Sequence, residues 1–181
     1  MGDHSICIFD NRAKNHFGAI CRKINDSISA GHAVIYIAKG EPLKILARMK
    51  RHGIIEGVED NIQIGALNLM NIATIFPEAT ETMSGEATDA EVAAAHLLQK
   101  WKNVIYKTKQ QGDNRRRKKY KGILIVADDI SIFATTKNFG ILLLFEQKIR
   151  QNAREKNWLE VICCYNKKII STWQLATINY N

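Results

Sequence analysis

The chain predicts an α/β fold, a mostly parallel sheet with helices on both faces. Three observations carry this expectation. Two runs, AVIYIA (Ala33 to Ala38) and ILIV (Ile123 to Val126), are continuously apolar and rich in β-branched residues, as strands covered on both faces must be. Between the strand-like runs lie stretches whose apolar residues recur at helical spacing. Alternating strands and helices require crossover connections, which run right-handed and cover the faces of a parallel sheet.

In chain order, SICIF at the N-terminus reads as a short strand, and Phe17, Ile20, Cys21, Ile24 and Ile28 then follow at helical spacing, with Gly31 closing that helix. AVIYIA is the second strand. Pro42 suits the first turn of the next helix, Leu43, Leu46, Ala47 and Met49 are its expected buried stripe, and Gly53 its C-terminal cap. NIQIGAL (Asn61 to Leu67) reads as a third, weaker strand. The irregular, acidic stretch of about 68–87, interrupted by Pro77 and Gly85, reads as a flexible excursion and a candidate lid. Thr88 to Glu91 has the form of a capping box. It opens a long helix ending near Gln111, with Val92, Ala95, Leu98, Trp101 and Ile105 as its apolar stripe. A basic loop at about 112–121 precedes the strand from Ile123 to Val126. A helix around Ile141 to Ala153 and a strand EVICCY (Glu160 to Tyr165) follow, and the tail from Lys167 is expected to add an edge strand or a short helix.

A chain of 181 residues with 46% hydrophobic content is enough for one domain with a real core, spanning 1–181. No run of about 18 uncharged apolar residues occurs, and the start, MGDHSICIFD, lacks the basic and apolar segments of a signal peptide. The expectation is a cytoplasmic protein with no membrane segment. Cys7, Cys21, Cys163 and Cys164 show no CxxC spacing, and on one strand Cys163 and Cys164 point to opposite faces, so buried reduced thiols are expected. The histidines at 4, 16, 32, 52 and 96 have no paired spacing, which does not support a metal site.

The net charge of +8 is unevenly spread. Residues 53–99 hold no Lys or Arg, while residues 100–121 hold ten. The dense part, Arg115, Arg116, Arg117, Lys118, Lys119 and Lys121, reads either as a solvated loop or as a nucleic-acid contact that neutralises phosphates, with Tyr120 as a stacking ring.

The strand from Ile123 ends in two adjacent carboxylates, Asp128 and Asp129, where nucleotide hydrolases place the acid that holds a magnesium water shell. Such enzymes also need a phosphate-cradling GxxxxGK[ST] loop, expected at the first strand-to-helix connection. Here that connection reads FDNRAKNHFG, with no glycine before Gly18, so ATP hydrolysis by that route is not expected. Asp129 fits a helix cap as well as it fits a ligand contact. Ligands of open α/β sheets sit beyond the carboxyl ends of the strands. That places Asp10, Asn11, Arg12 and Lys14, Lys39, Asp128, Asp129 and Ser131, and Tyr165 on one candidate rim.

HSICIFDN, AGHAVIYIA, ADDISIF, LFEQKI and VICCYNKK follow one another in an order that resembles the MEDS domain, the methanogen/methylotroph DcmR sensory domain. The resemblance spans roughly His4 to Lys168. It implies a RecA- or KaiC-like three-layer sandwich without a working phosphate loop, acting as a sensory, ligand-binding module rather than an enzyme. By position, His4 and Asp10 match the family's opening His and strand-end acid, Ser131 its Ser, Glu146 its Tyr-Glu position and Tyr165 its late-strand Tyr. Asp128-Asp129-Ile130 stands where the family usually has Gly-Glu-Met, Ile132 replaces a Trp and Asn166 an Asp.

The expected function is therefore a non-catalytic sensor of a small anionic metabolite, a coenzyme A-type molecule or an adenine nucleotide, with no cofactor required. Arg12 and Lys14 would supply charge where the first helix begins. A homo-oligomer and a regulatory protein partner are the expected associations. The alternatives are a nucleic-acid-binding protein using the basic loop and a degenerate RecA-like ATPase using Asp128 or Asp129 with magnesium.

Overall fold

The structure, a computed structural model, describes residues 2–10, 14–51, 57–75, 90–111, 119–128, 130–134 and 139–180. Among the described residues five parallel strands form one sheet: β1 (Asp3–Phe9), β2 (Ala33–Ala38), β3 (Leu67–Asn71), β4 (Ile123–Ala127) and β5 (Leu159–Asn166). Their order across the sheet is β1-β5-β4-β2-β3. The helices are α1 (Lys14–Ser29), α2 (Pro42–Arg51), α3 (Val58–Gln63), α4 (Ile72–Ile75), α5 (Ala90–Gln111), α6 (Phe139–Glu155) and α7 (Thr172–Tyr180), with a short 3-10 helix at Ile130–Ala134. The α/β expectation holds.

The strand order explains the layers. From β1 to β2 and on to β3 the chain moves one way across the sheet, and from β3 to β4 to β5 it moves back. Right-handed crossovers place the helices of these two journeys on opposite faces. Accordingly, Ile20 and Ile24 of α1, Ile45 and Met49 of α2 and Val58 of α3 pack with Val34, Tyr36, Leu124 and Val126. On the other face, Leu97 and Trp101 of α5 and Phe145 and Ile149 of α6 pack with Ile35, Ile37 and Ile125. Successive residues of β2 thus alternate between two cores, and all six are buried, which is why the run carries no polar position but the Tyr36 hydroxyl. Each Ile or Val buried there contributes roughly 1.5–3 kcal/mol.

Gly31 has φ 86 and its N–H bonds the carbonyl of Ile28, so the first helix ends where expected. The third strand does not lie at Asn61 to Leu67. Asn61 to Gln63 finish α3, Gly65 turns at φ 74, and pairing with β2 begins at Leu67. The alternation of Ile62 and Ile64 mimics a strand, but Val58 and Ile62 stand i,i+4 on one helical face and pack in the same core. The excursion is also shorter than expected, because Asn68 to Asn71 belong to β3 and 72–75 to α4, while 76–87 lie outside the described residues. Thr88, Gly53 and the basic residues Arg115 to Lys118 lie outside them too.

Two helical stripes are rotated from their expected positions. In α2 the buried pair is Ile45 and Met49, while Leu43 is 78% exposed. In α5 it is Ala94, Leu97, Trp101, Ile105 and Thr108 that face inward, and Val92 is exposed. Both helices carry more apolar residues than one face can hold, so periodicity leaves the choice to packing. The tail forms α7, which packs on α6 through Ile178. Among the described residues no helix is long and apolar enough to cross a membrane.

Candidate functional site

β2 and β4 are neighbours whose connections leave toward opposite faces, opening a crevice beyond their carboxyl ends. Asp128 sits there. Its backbone N–H continues the ladder to the carbonyl of Ile37 at 2.7 Å. Two residues beyond Val126, its side chain falls on the α1 and α2 face, diagonal to Tyr36.

The carboxylate is buried and fully engaged. Oδ2 accepts from the Tyr36 hydroxyl and, at 2.8 Å, from Arg48 Nη2, while Oδ1 lies 3.2 Å from His16 Nε2. Arg48 also donates to the Tyr36 oxygen at 2.6 Å, and its guanidinium lies 4.3 Å over the Phe17 ring. Phe9 stacks on the His16 imidazole at 4.0 Å, and His16 Nδ1 stands 3.8 Å from Cys7 Sγ. Three strands and two helices thus converge on one carboxylate.

Burial acts to raise the Asp128 pKa, but the hydrogen bonds from His16 and Tyr36 and the Arg48 charge outweigh it and hold it below the usual carboxylate value. For His16, burial opposes charge, yet the bonds to Asp128 and Cys7 win and raise it to about 9. Cys7 is lowered to about 5, first by the hydrogen bond from Cys164 and then by that from His16. The hydrogen-bonding interaction with Cys7 and burial push the Cys164 thiol well above its usual value. Cys7 is thereby favoured as the more acidic thiol of the pair, and it faces His16, whose charged form is favoured too.

The expected rim divides. Asp128 occupies the crevice, Lys39 follows β2 and is exposed, and Asp10 follows β1 in an ion pair with Lys167 at 2.9 Å. Lys14 is the first residue of α1. Asn11, Arg12 and Asp129 lie outside the described residues. Two expected ligand contacts are corrected. Ser131 is wholly buried and its Oγ accepts the Asn166 N–H at 2.6 Å, so it ties the 3-10 helix to the end of β5. Tyr165 faces the other layer, because odd-numbered positions of β5 point toward α6, and its hydroxyl donates to Glu146.

Glu146 centres a second buried polar group. His4 Nε2 lies 2.8 Å from its Oε2, although both atoms lack a well-aligned hydrogen bond among the described residues. His4, Glu146 and Cys163 form one set of donors close enough to share an ion, and His16, Asp128 and Cys164 form another. In the second set Arg48, Tyr36 and His16 already use both Asp128 oxygens, so it reads as an ion-pair network. The described cysteines are all free; Cys21, Cys163 and Cys164 are buried as expected, whereas Cys7 is only half-buried, and Cys163 and Cys164 point into different cores.

Lys119 and Lys121, the described end of the basic segment, are exposed before β4 begins, and Lys121 N–H bonds the Gly31 carbonyl before β2. They lie at the amino ends of the strands, on the rim opposite the crevice. An apolar groove of about 520 Å³ beside β3, lined by Leu43, Leu46, Leu69 and Met70, is separate from both charged regions.

No family model and no curated protein matches this chain. A solved structure does. Flagellar accessory protein FlaH from Methanocaldococcus jannaschii superposes with a TM-score of 0.56 at 15% identity, over 99% of this chain and 67% of that one. The likeness establishes a RecA-like α/β fold.

Tyr36, Arg48, His16 and Cys7 are absent from the residues sequence reasoning selected. One signal was present: Tyr36 is the only polar tip in a doubly buried strand, and such a hydroxyl needs a partner. Nothing local marks Arg48, which meets Asp128 across 80 residues.

Proposed function

We propose that this chain is a non-catalytic regulatory domain that binds a small anionic, nucleotide-containing metabolite at the crevice beyond β2 and β4. The observation that supports it is the Arg48–Asp128 pair. An acid that holds a magnesium water shell must keep its oxygens free, and both oxygens of Asp128 are bonded to protein donors. With Asp128 neutralised, the exposed Lys39 and the partly exposed Arg48 and His16 leave the crevice basic. Phosphate would be recognised by side chains in place of a glycine loop. The likeness to the MEDS sensory domain agrees with this role, in the cytoplasm and as a homo-oligomer that signals through a protein partner.

Titration with coenzyme A and with ATP, with and without magnesium, tests the reading. Binding is expected to be independent of magnesium, and Lys39→Ala to weaken it by about 1.5–3 kcal/mol, the range for a charge-assisted hydrogen bond. Changing Arg115, Arg116 and Arg117 together to Ala is expected to leave it intact. Turnover of ATP near 1 per second that disappears in Asp128→Asn would overturn the proposal. Loss of metabolite binding in the triple variant alone would move the site to the basic segment. A DNA salt slope flattened by about 2–3 in that variant would support the nucleic-acid reading.

A further inference from the structure

Cys7 and Cys164 are register partners on the neighbouring parallel strands β1 and β5, and both side chains face the α1 layer. Adjacent strands lie about 4.7–4.9 Å apart, within the 4.4–6.8 Å that a disulfide spans between its Cα atoms. The Cys164 sulfur also lies within 4.8 Å of donor atoms of His16 and Asp128. Cys7 is partly exposed while Cys164 is buried, so one thiol can meet a reagent and the other can reach only its partner. Against Cys7 lies His16, aligned by the Phe9 stack and by Asp128, which is itself held by Arg48 and Tyr36. A lone buried thiol needs none of this arrangement.

We propose that Cys7 is a peroxide-reactive site and that Cys164 resolves its oxidised form into a Cys7–Cys164 disulfide. In the first step the Cys7 sulfur attacks hydrogen peroxide: the S–O bond forms, the O–O bond breaks, and the departing hydroxide takes the His16 proton to leave as water. Cys7 is then a sulfenic acid. In the second step Cys164 gives its proton to the now neutral His16 and its sulfur attacks Cys7. The S–S bond forms, the S–O bond breaks, and a second water leaves with the His16 proton. Two thiols and one peroxide become one disulfide and two waters. A cellular thiol reductant reverses the change. The disulfide would withdraw the thiolate that His16 faces and so alter the network around Asp128, whichever anion the crevice takes.

The thiolate brings no simple gain in speed at pH 7, because nucleophilicity falls with pKa while the ionised fraction rises. Its signature is the pH profile. In the native protein, alkylation of Cys7 by iodoacetamide, followed by peptide mass spectrometry, is expected to be level between pH 6 and 8. Cys7 in the urea-unfolded chain should rise roughly tenfold per pH unit, since only the ionised thiol reacts. His16→Gln should raise the Cys7 pKa and so make the folded profile climb with pH. Hydrogen peroxide should yield a linked Cys7–Cys164 peptide, and in Cys164→Ser a 1,3-dione probe should instead label Cys7. A native profile as steep as the unfolded one, or peroxide treatment that leaves no Cys7–Cys164 link, would overturn the proposal.

Discussion

Among the described residues two carboxylates are buried, one on each side of the sheet, and their surroundings match closely. Asp128 takes a tyrosine hydroxyl from Tyr36, a histidine nitrogen from His16 and has a cysteine, Cys164, beside it. Glu146 takes a hydroxyl from Tyr165, faces His4 and has Cys163 beside it. The difference lies in access. Arg48, with 42% of its side chain exposed, joins Asp128 to solvent, whereas the His4 and Glu146 side chains are each 1% exposed. The same residue types thus make an addressable site at the carboxyl ends of β2 and β4, and a sealed one between β1, β5 and α6. Burial separates the two, since the Asp128 network reaches solvent through Arg48 and the Glu146 group does not.

The largest expected effect breaks the sealed group. Glu146→Ala strands the Tyr165 hydroxyl and His4 in a dry core and is expected to lower stability by about 3–5 kcal/mol in urea unfolding. A cost below about 1 kcal/mol would mean that this group is wetter than its burial indicates. At the open group, Arg48→Met is expected to cost less, about 1–2 kcal/mol, because Asp128 keeps Tyr36 and His16 and water reaches the gap. That variant should also weaken binding of an anionic metabolite, which Glu146→Gln should not. Equal effects of the two variants on binding would erase the distinction between the groups.

The smallest effect is that of pH on the wild-type protein. His16 is raised from 6.5 to about 9, so its contribution is complete below pH 6.5 and lost as pH rises through 9. Cys7 is lowered from 9.0 to about 5, so its contribution is complete above pH 9 and lost as pH falls through 5. Between pH 6.5 and 9 the two changes oppose, and the stability of the wild-type protein should be nearly level with respect to this pair. Cys7→Ser removes the opposing contribution but also part of what raises His16, so stability should decline through the lower part of that window. A variant whose pH profile parallels the wild type would remove Cys7 from the network.

The sequence by itself determined the layers. Continuous apolar, β-branched runs at Ala33 to Ala38 and Ile123 to Val126 are typical of strands covered on both faces, and the helical spacing between them calls for crossovers. It also determined what the first connection lacks, since a chain without glycine there cannot wrap phosphates in backbone amides. Only the tertiary structure decided which face each helix buries, where β3 begins and what Asp128 touches. Apolar periodicity in α2 and α5 allowed more than one inward face, and the pairing of Leu67 with Val34 selected the register. The contacts of Asp128 with Tyr36, Arg48 and His16 cross 92, 80 and 112 residues. Such contacts arise from strand order, because β2 and β4 become neighbours only after the chain has travelled to β3 and back, and no local spacing records that journey.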